Sequence, residues 1–306
     1  MLIQGARILV KGAISLAKKL KISDLVVGLT IVSLGTSFPE LVINLTASIN
    51  GNSQIAIGNI LGSNVANLLL ILGVSALVYP LKVQKSTILS EIPFSIVAIL
   101  LVGYLANIDF LDTSHHLYLG RLDGCIMLLF FFLFMAYIYS LSSDQPNTTS
   151  EDHAEITSTR KAFLWIFLGC AALFLGGRWV VNGAVSVATT LGLSESFIGL
   201  TIVAIGTSLP ELVTSVTAAL KKSTDLAVGN VVGSNIFNLL LILGLSAIIK
   251  PLPFTVASNT DIMTIVFSSV LLLFALTLNK GSIKRWFGWV SLVVYLAYIL
   301  FLVSRG

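Results

Sequence analysis

One phrase occurs twice in this chain of 306 residues. Residues 28–41 read GLTIVSLGTSFPEL, and residues 199–212, 171 positions later, read GLTIVAIGTSLPEL. Each is followed at the same distance by a second phrase, AIGNILGSNVANLLLILG from Ala56 and AVGNVVGSNIFNLLLILG from Ala227. The register does not slip between residues 2–81 and residues 173–252, and roughly half of the aligned positions are identical. The chain is therefore a duplicated unit, and its fold must pack two copies of one arrangement. Each copy sets a single glutamate, Glu40 or Glu211, in an otherwise uncharged apolar stretch. A carboxylate is costly to bury there and marks a functional site.

Composition decides the solvent. Hydrophobic residues make up 56% of the chain and charged residues 10%, against about 25% charge in a soluble domain. The apolar runs are about 20 residues long, the length of a spanning helix rather than of a barrel strand. The fold class is an all-α integral membrane protein, because only helices or closed barrels satisfy the backbone in lipid. Ten spanning segments are expected, at about 1–20, 25–49, 55–78, 88–107, 122–141, 162–188, 196–220, 226–249, 260–279 and 285–303. The first is short beside its repeat partner and carries Arg7 and Lys11. It is expected to be a short tilted helix or a truncated one. The repeat register already covers it, which argues against a cleaved signal peptide.

The longest polar stretch, SSDQPNTTSEDHAEITSTR at 142–160, holds Pro146 and many Ser and Thr. It reads as a cytoplasmic linker between a first five-helix repeat at 1–141 and a second at 161–306. At 19 residues it is too short for a further folded domain. Of the 18 Lys and Arg residues, 12 fall in alternate loops, among them Lys18, Lys82, Lys161, Lys221 and Lys284. The positive-inside bias makes those loops cytoplasmic and puts both termini outside the plasma (inner) membrane. Five segments per copy is an odd number, so the second copy enters the bilayer upside down. Inverted repeats with a site at their interface are the architecture of secondary transporters.

The repeated phrases carry the chemistry. In GTSFPE, Pro39 has no N–H, so the Gly35 carbonyl loses its helical partner, and the proline ring crowds that same carbonyl. Gly206 and Pro210 repeat the arrangement. A broken helix at membrane depth is tolerated where it is packed in protein or lines a polar cavity. Helical spacing then puts Ser33, Ser37, Glu40 and Asn44 on one face, and Ala204, Ser208, Glu211 and Ser215 on its counterpart. Asn59, Ser63 and Asn67 form another polar stripe, repeated as Asn230, Ser234 and Asn238. Together these stripes make an oxygen-only cage. Lacking His and Cys, it suits hard cations such as Ca²⁺ and Na⁺ rather than zinc or copper.

Other features read as structural. Gly58, Gly62, Gly229 and Gly233 have the spacing of close helix contact. Asn64 and Asn235 lie beside the polar stripes rather than on them. His115, His116 and His153 fall in loops and are taken as solvated. Cys125 and Cys170 are taken as small buried side chains, outside any disulfide or metal site. No nucleic-acid module is present, no cofactor is expected beyond the transported ions, and the chain is expected to work as a monomer.

The GTSxPE and GSNxxN motifs, each occurring twice and in order, resemble the two α-repeats of the cation/calcium exchanger superfamily, most of all the prokaryotic sodium/calcium exchangers. The resemblance covers nearly the whole chain. It implies that Glu40 and Glu211 are the central calcium ligands and that Thr36 and Thr207 supply backbone oxygens to calcium. It further implies that Ser37, Ser63, Ser208 and Ser234 line sodium sites with the carbonyls of Ser33 and Ala204, and that Asn67 and position 238 complete the centre. Well-known sodium/calcium exchangers carry an aspartate at that last position, whereas this chain has Asn238.

The expected function is a cation antiporter that exports Ca²⁺ in exchange for Na⁺. No ATP-binding phrase is present, so an ion gradient would drive it. The alternative keeps the fold and couples Ca²⁺ to H⁺: two facing carboxylates repel each other when both are ionised, and a proton relieves that. A passive cation channel ranks lower. An intramembrane enzyme ranks last, since no Ser/His pair, HExxH phrase or paired aspartates occur within the spans.

Overall fold

A computed structural model describes residues 1–108, 117–144, 158–190 and 204–305. The loop histidines, residues 145–157 of the linker and the beginning of the seventh expected segment lie outside the described residues. What is described is helical apart from four two-residue strands.

In chain order the helices are α1 (Leu2–Leu20), α2 (Asp24–Thr36), α3 (Phe38–Asn50), α4 (Ile55–Val78), α5 (Thr87–Asn107), α6 (Arg121–Asp144) and α7 (Thr159–Thr190). They continue as α8 (Ala204–Thr207), α9 (Leu209–Leu220), α10 (Thr224–Ile249), α11 (Val256–Leu278) and α12 (Arg285–Arg305). Among the described residues seven helices are long and apolar enough to cross a bilayer: α4, α5, α6, α7, α10, α11 and α12. The α2–α3 pair, bent by 48°, makes an eighth if it is one span. The ends of these spans fall within a few residues of the boundaries expected from hydropathy, because a run of apolar side chains has nowhere to stop but at water.

Local signals set the helix ends. Lys21 closes α1 in the left-handed region at φ 57°, and Lys18 and Lys19 sit in the last turn, where cations suit the helix dipole. Ser23 caps α2 by accepting from the Val26 N–H. Gly51 ends α3 at φ 81°, a conformation that glycine adopts without steric cost.

Packing interlocks the two sequence copies. A Cβ built on Gly28 or Gly229 would meet the other helix's backbone at about 3 Å, so α2 and α10 touch main chain to main chain. Gly73 of α4 seats against Gly288 of α12, and its repeat counterpart Gly244 of α10 seats against Gly124 of α6. Two small ladders cross between copies as well: β1 (Leu81–Lys82) pairs with β4 (Ser282–Ile283), and β2 (Tyr118–Leu119) with β3 (Leu252–Pro253). α1 lies along α7, with Gly5 against Gly169 and Ala172, and Gly12 against Ala162 and Ile166.

The distribution of polarity is that of a membrane protein. Large apolar side chains such as Phe132, Phe167, Phe274 and Trp289 are exposed, while many serines and asparagines and the glutamates Glu40, Glu91 and Glu211 are buried within an otherwise apolar core. Cys125 departs from expectation. It is a free thiol but exposed, not buried; Cys170 is half-buried. Burial has no driving force at a lipid-facing position, so an apolar thiol gains nothing by turning inward.

Candidate cation site

Both repeated phrases break their helix at the same place. Ser37 leaves the helical region at φ −82°, ψ 8°, and Ser208 does so at φ −85°, ψ 4°. Pro39 and Pro210 then sit in the first turn of α3 and α9, where the missing N–H costs nothing. Glu40 and Glu211 follow in the same first turns. Each carboxylate therefore lies at a helix N-terminus, whose dipole favours negative charge. Both are 1% exposed, and they interact electrostatically with each other, so two distant stretches of sequence bring their acids into one centre.

Hydroxyls from the opposite copy face these acids. Ser37 donates to Glu211 Oε1 at 2.9 Å, and Thr36 also faces Glu211. Thr207 and Ser63 face Glu40. The threonines engage the next helices reciprocally: Thr36 Oγ1 donates to Asn230 Oδ1 at 3.1 Å, and Thr207 Oγ1 donates to Asn59 Oδ1 at 3.2 Å. Ser33 donates to the carbonyls of Gly28 and Asn230, and its own carbonyl accepts from the Ser37 N–H. Ser63, Asn67, Ser208, Ser234 and Asn238 are all buried. Ala204 opens α8 directly before the break. The polar stripes thus converge where the two broken helices cross α4 and α10.

Many buried atoms here have no protein partner. They include Glu40 Oε2, Glu211 Oε2, Ser208 Oγ, Ser234 Oγ, Asn67 Oδ1 and Asn238 Oδ1. An unsatisfied buried polar atom costs about 1–3 kcal/mol, so such a concentration is stable only if something else satisfies it. Six-residue π-helical turns, Ala66–Ile71 and Phe237–Ile242, carry Asn67 and Asn238 at matching repeat positions. Such turns free main-chain groups and cluster at functional sites. Among the described residues no group of three or more His, Cys, Asp or Glu gathers anywhere. The donor set is two carboxylates plus neutral oxygens, which fits a hard cation as cargo.

Sequence reasoning left Asn64 and Asn235 undecided. Asn235 belongs to the network: Asn67 Nδ2 donates to its Oδ1 at 2.9 Å. Asn64 is fully buried with both amide atoms unpartnered. Their position beside the stripe concealed this, because helical spacing does not say which side chains of the other copy a residue will meet. The glycine expectation holds for Gly229 and Gly233, which press on α2. Among the described residues nothing lies within 4 Å of a Cβ built on Gly58 or Gly62. Two other glycines touch α7 at the helix breaks. A side chain on Gly35 would run into Cys170 Sγ, and one on Gly206 into Val181 Cγ2.

Comparison with known proteins identifies the family. The sodium/calcium exchanger protein family model matches residues 1–140 and 161–304. The chain is 36% identical over 337 residues to the sodium/calcium exchanger MaX1 of Methanosarcina acetivorans, covering 98% of this chain and 95% of the relative. It is 36% identical over 259 residues to the inner membrane protein YrbG of Escherichia coli, covering 82% and 77%. A solved structure of the sodium-calcium exchanger NCX_Mj superposes with a TM-score of 0.82 at 29% identity, covering 98% of this chain and 94% of that one. With its duplicated GTSxPE and GSNxxN motifs and its two buried glutamates, the chain belongs to the sodium/calcium exchanger family of multi-pass membrane transporters.

Proposed function

We propose that this protein exchanges Ca²⁺ for Na⁺ across the membrane, exporting Ca²⁺. The observation that carries the reading is the meeting of Glu40 and Glu211, both buried, among buried oxygens that no protein group satisfies. Two carboxylates match the charge of one divalent ion. In this reading Thr36 and Thr207 offer backbone oxygens to Ca²⁺. Ser37, Ser63, Ser208, Ser234, Asn67, Asn238 and the carbonyls of Ser33 and Ala204 serve Na⁺. Ca²⁺ and Na⁺ compete for overlapping oxygens, so the two loaded states exclude each other. α1 and α7, outside the two ladders that clip the loops after α4, α5, α10 and α11 together, move against the remaining helices to switch access.

The same reading places ten spanning segments as two inverted repeats, 1–141 and 161–306, joined by a cytoplasmic linker at 142–160. Both termini face outward, the membrane is the plasma (inner) membrane, the chain works as a monomer and no resident cofactor is needed. Unequal charge movement would make exchange voltage-sensitive, by about 2.3 kcal/mol per charge per 100 mV. Proton coupling is the second reading. Asn238 favours it: its amide cannot supply the charge that a carboxylate would offer a sodium ion.

The test is ⁴⁵Ca²⁺ uptake into proteoliposomes loaded with Na⁺, compared with vesicles loaded with K⁺ or held under a pH gradient. Uptake is expected only with internal Na⁺. Uptake driven by the pH gradient alone would move the protein to the proton-coupled reading.

A further inference from the structure

A further buried carboxylate lies outside the cage. Glu91 sits one turn into α5 and is fully buried. Tyr137 of α6 donates to its Oε1 at 2.6 Å, the length of a hydroxyl bonded to an ionised carboxylate. The other oxygen, Glu91 Oε2, has no protein partner. Thr87 Oγ1, one turn back on the same face and also fully buried, has none either. Nor has the enclosed Ser86 Oγ, directly before the helix. Residues 87–91 form a π turn, whose i→i+5 spacing brings Ser86 to the Glu91 side as well.

The second copy builds the same pair without the gap. Asp261 holds the matching place on α11, is 5% exposed and accepts from Tyr298 of α12 at 3.1 Å. One turn back from it stands Ala257, which has no hydroxyl, and its carbonyl accepts from Thr260. Thr264, Ser268 and Ser269 likewise donate to the carbonyl a turn earlier. Among the described residues, buried oxygens without protein partners lie beside the acid–tyrosine pair in the first copy only.

A water could fill the gap, but it cannot cancel charge. Among the described residues no Lys, Arg or His pairs with Glu91; Lys82 and Lys85, the nearest in sequence, are exposed. An ionised carboxylate buried without a counter-charge is strongly unfavourable. A proton on Oε2 would need a protein acceptor within bonding distance, and none is there. A small cation meets every condition: one carboxylate balances one unit of charge, and hydroxyl oxygens suit a hard ion.

We propose that Glu91, Thr87 and Ser86, closed over by Tyr137 of α6, bind a monovalent alkali cation, Na⁺ or K⁺, apart from the exchange cage. The assignment stands whether or not the exchange reading holds.

Thermal unfolding of the purified full chain in detergent tests it. Glu40→Gln with Glu211→Gln serves as background, so that ions in the cage do not contribute. Replacing N-methylglucamine chloride by NaCl or KCl at equal ionic strength is expected to raise the midpoint by about 2–4 °C. Adding Glu91→Gln should abolish that rise, and the same increment should be lost from the wild type. Should Glu91→Gln fail to fold, Thr87→Val keeps the side chain's shape and removes one ligand oxygen. It should raise the salt concentration for half the effect about fivefold. Ser269→Ala, whose hydroxyl is bonded within its own helix, should not. The cation that acts at the lower concentration is the occupant. A midpoint indifferent to both cations, a rise that persists in Glu91→Gln, or a rise with CaCl₂ and neither alkali salt would overturn the site.

Discussion

In the first copy of the motif, Asn44 turns back and donates to the carbonyl of Glu40 in its own helix, at 2.7 Å. In the second copy Ser215 holds the same repeat position and instead accepts from Asn230 of the neighbouring helix, at 2.9 Å. The difference spreads. Asn230 is fully buried; its Oδ1 accepts from Thr36, its Nδ2 donates to Ser215 and its carbonyl accepts from Ser33. Its counterpart Asn59 is half-buried, accepts from Thr207, and leaves its Nδ2 unpartnered. Asn67 is tied to Asn235, while both amide atoms of Asn238 are unpartnered. The two copies therefore agree in their acids and their helix breaks, and differ in the neutral groups around them. Charge is what the cage needs from both halves; the neutral groups divide between holding helices together and facing the ion.

The largest effect should come from what the copies share. Glu40→Gln and Glu211→Gln should each reduce Ca²⁺ uptake by about 100-fold or more, given the several kcal/mol at stake when a buried charge loses its partner. Near-normal uptake in either variant would break the equivalence. The next effect sharpens the asymmetry at the centre. Asn238→Asp adds a carboxylate beside the cage and should raise apparent sodium affinity about tenfold, since even a screened charge at close range exceeds 1 kcal/mol. An unchanged sodium dependence would remove Asn238 from the ion's surroundings.

Smaller effects separate packing from ion binding. Asn230→Ala should destabilise the fold by about 0.6 kcal/mol more than Asn59→Ala, because it removes two side-chain hydrogen bonds rather than one, at about 0.6 kcal/mol each in a membrane protein. Thermal unfolding in detergent would measure this, and equal losses would refute the idea that one crossing is tied more firmly than the other. Ser33→Ala copies Ala204 into the first repeat. It removes a hydroxyl that joins α2 to α10 and keeps the carbonyl, so it should cost about 0.6 kcal/mol of stability and leave the Na⁺ dependence of uptake unaltered.

Much of this was legible in the sequence. Hydropathy placed the seven helices that are long and apolar enough to cross a bilayer among the described residues, proline and glycine placed both breaks, and helical spacing gathered Ser37, Glu40, Ser63 and Asn67 on polar faces. A helical face, however, says nothing of which helix it meets. That Ser37 reaches Glu211 rather than Glu40, and that Gly73 finds Gly288, follows from packing across copies, which no local period encodes. The role of Asn235 was hidden because its partner, Asn67, belongs to the other copy. Cys125 was misplaced because burial rules learned in water fail against lipid.

The central claim is one shared ion cage built from both copies. Equilibrium ⁴⁵Ca²⁺ binding to the purified protein, with Na⁺ titrated in, tests it most directly in the wild type and in the two glutamate variants. The account predicts one Ca²⁺ per chain, displaced by Na⁺, and lost alike in Glu40→Gln and Glu211→Gln. Two Ca²⁺ per chain, with one surviving in each variant, would show that the copies bind separately and would contradict it.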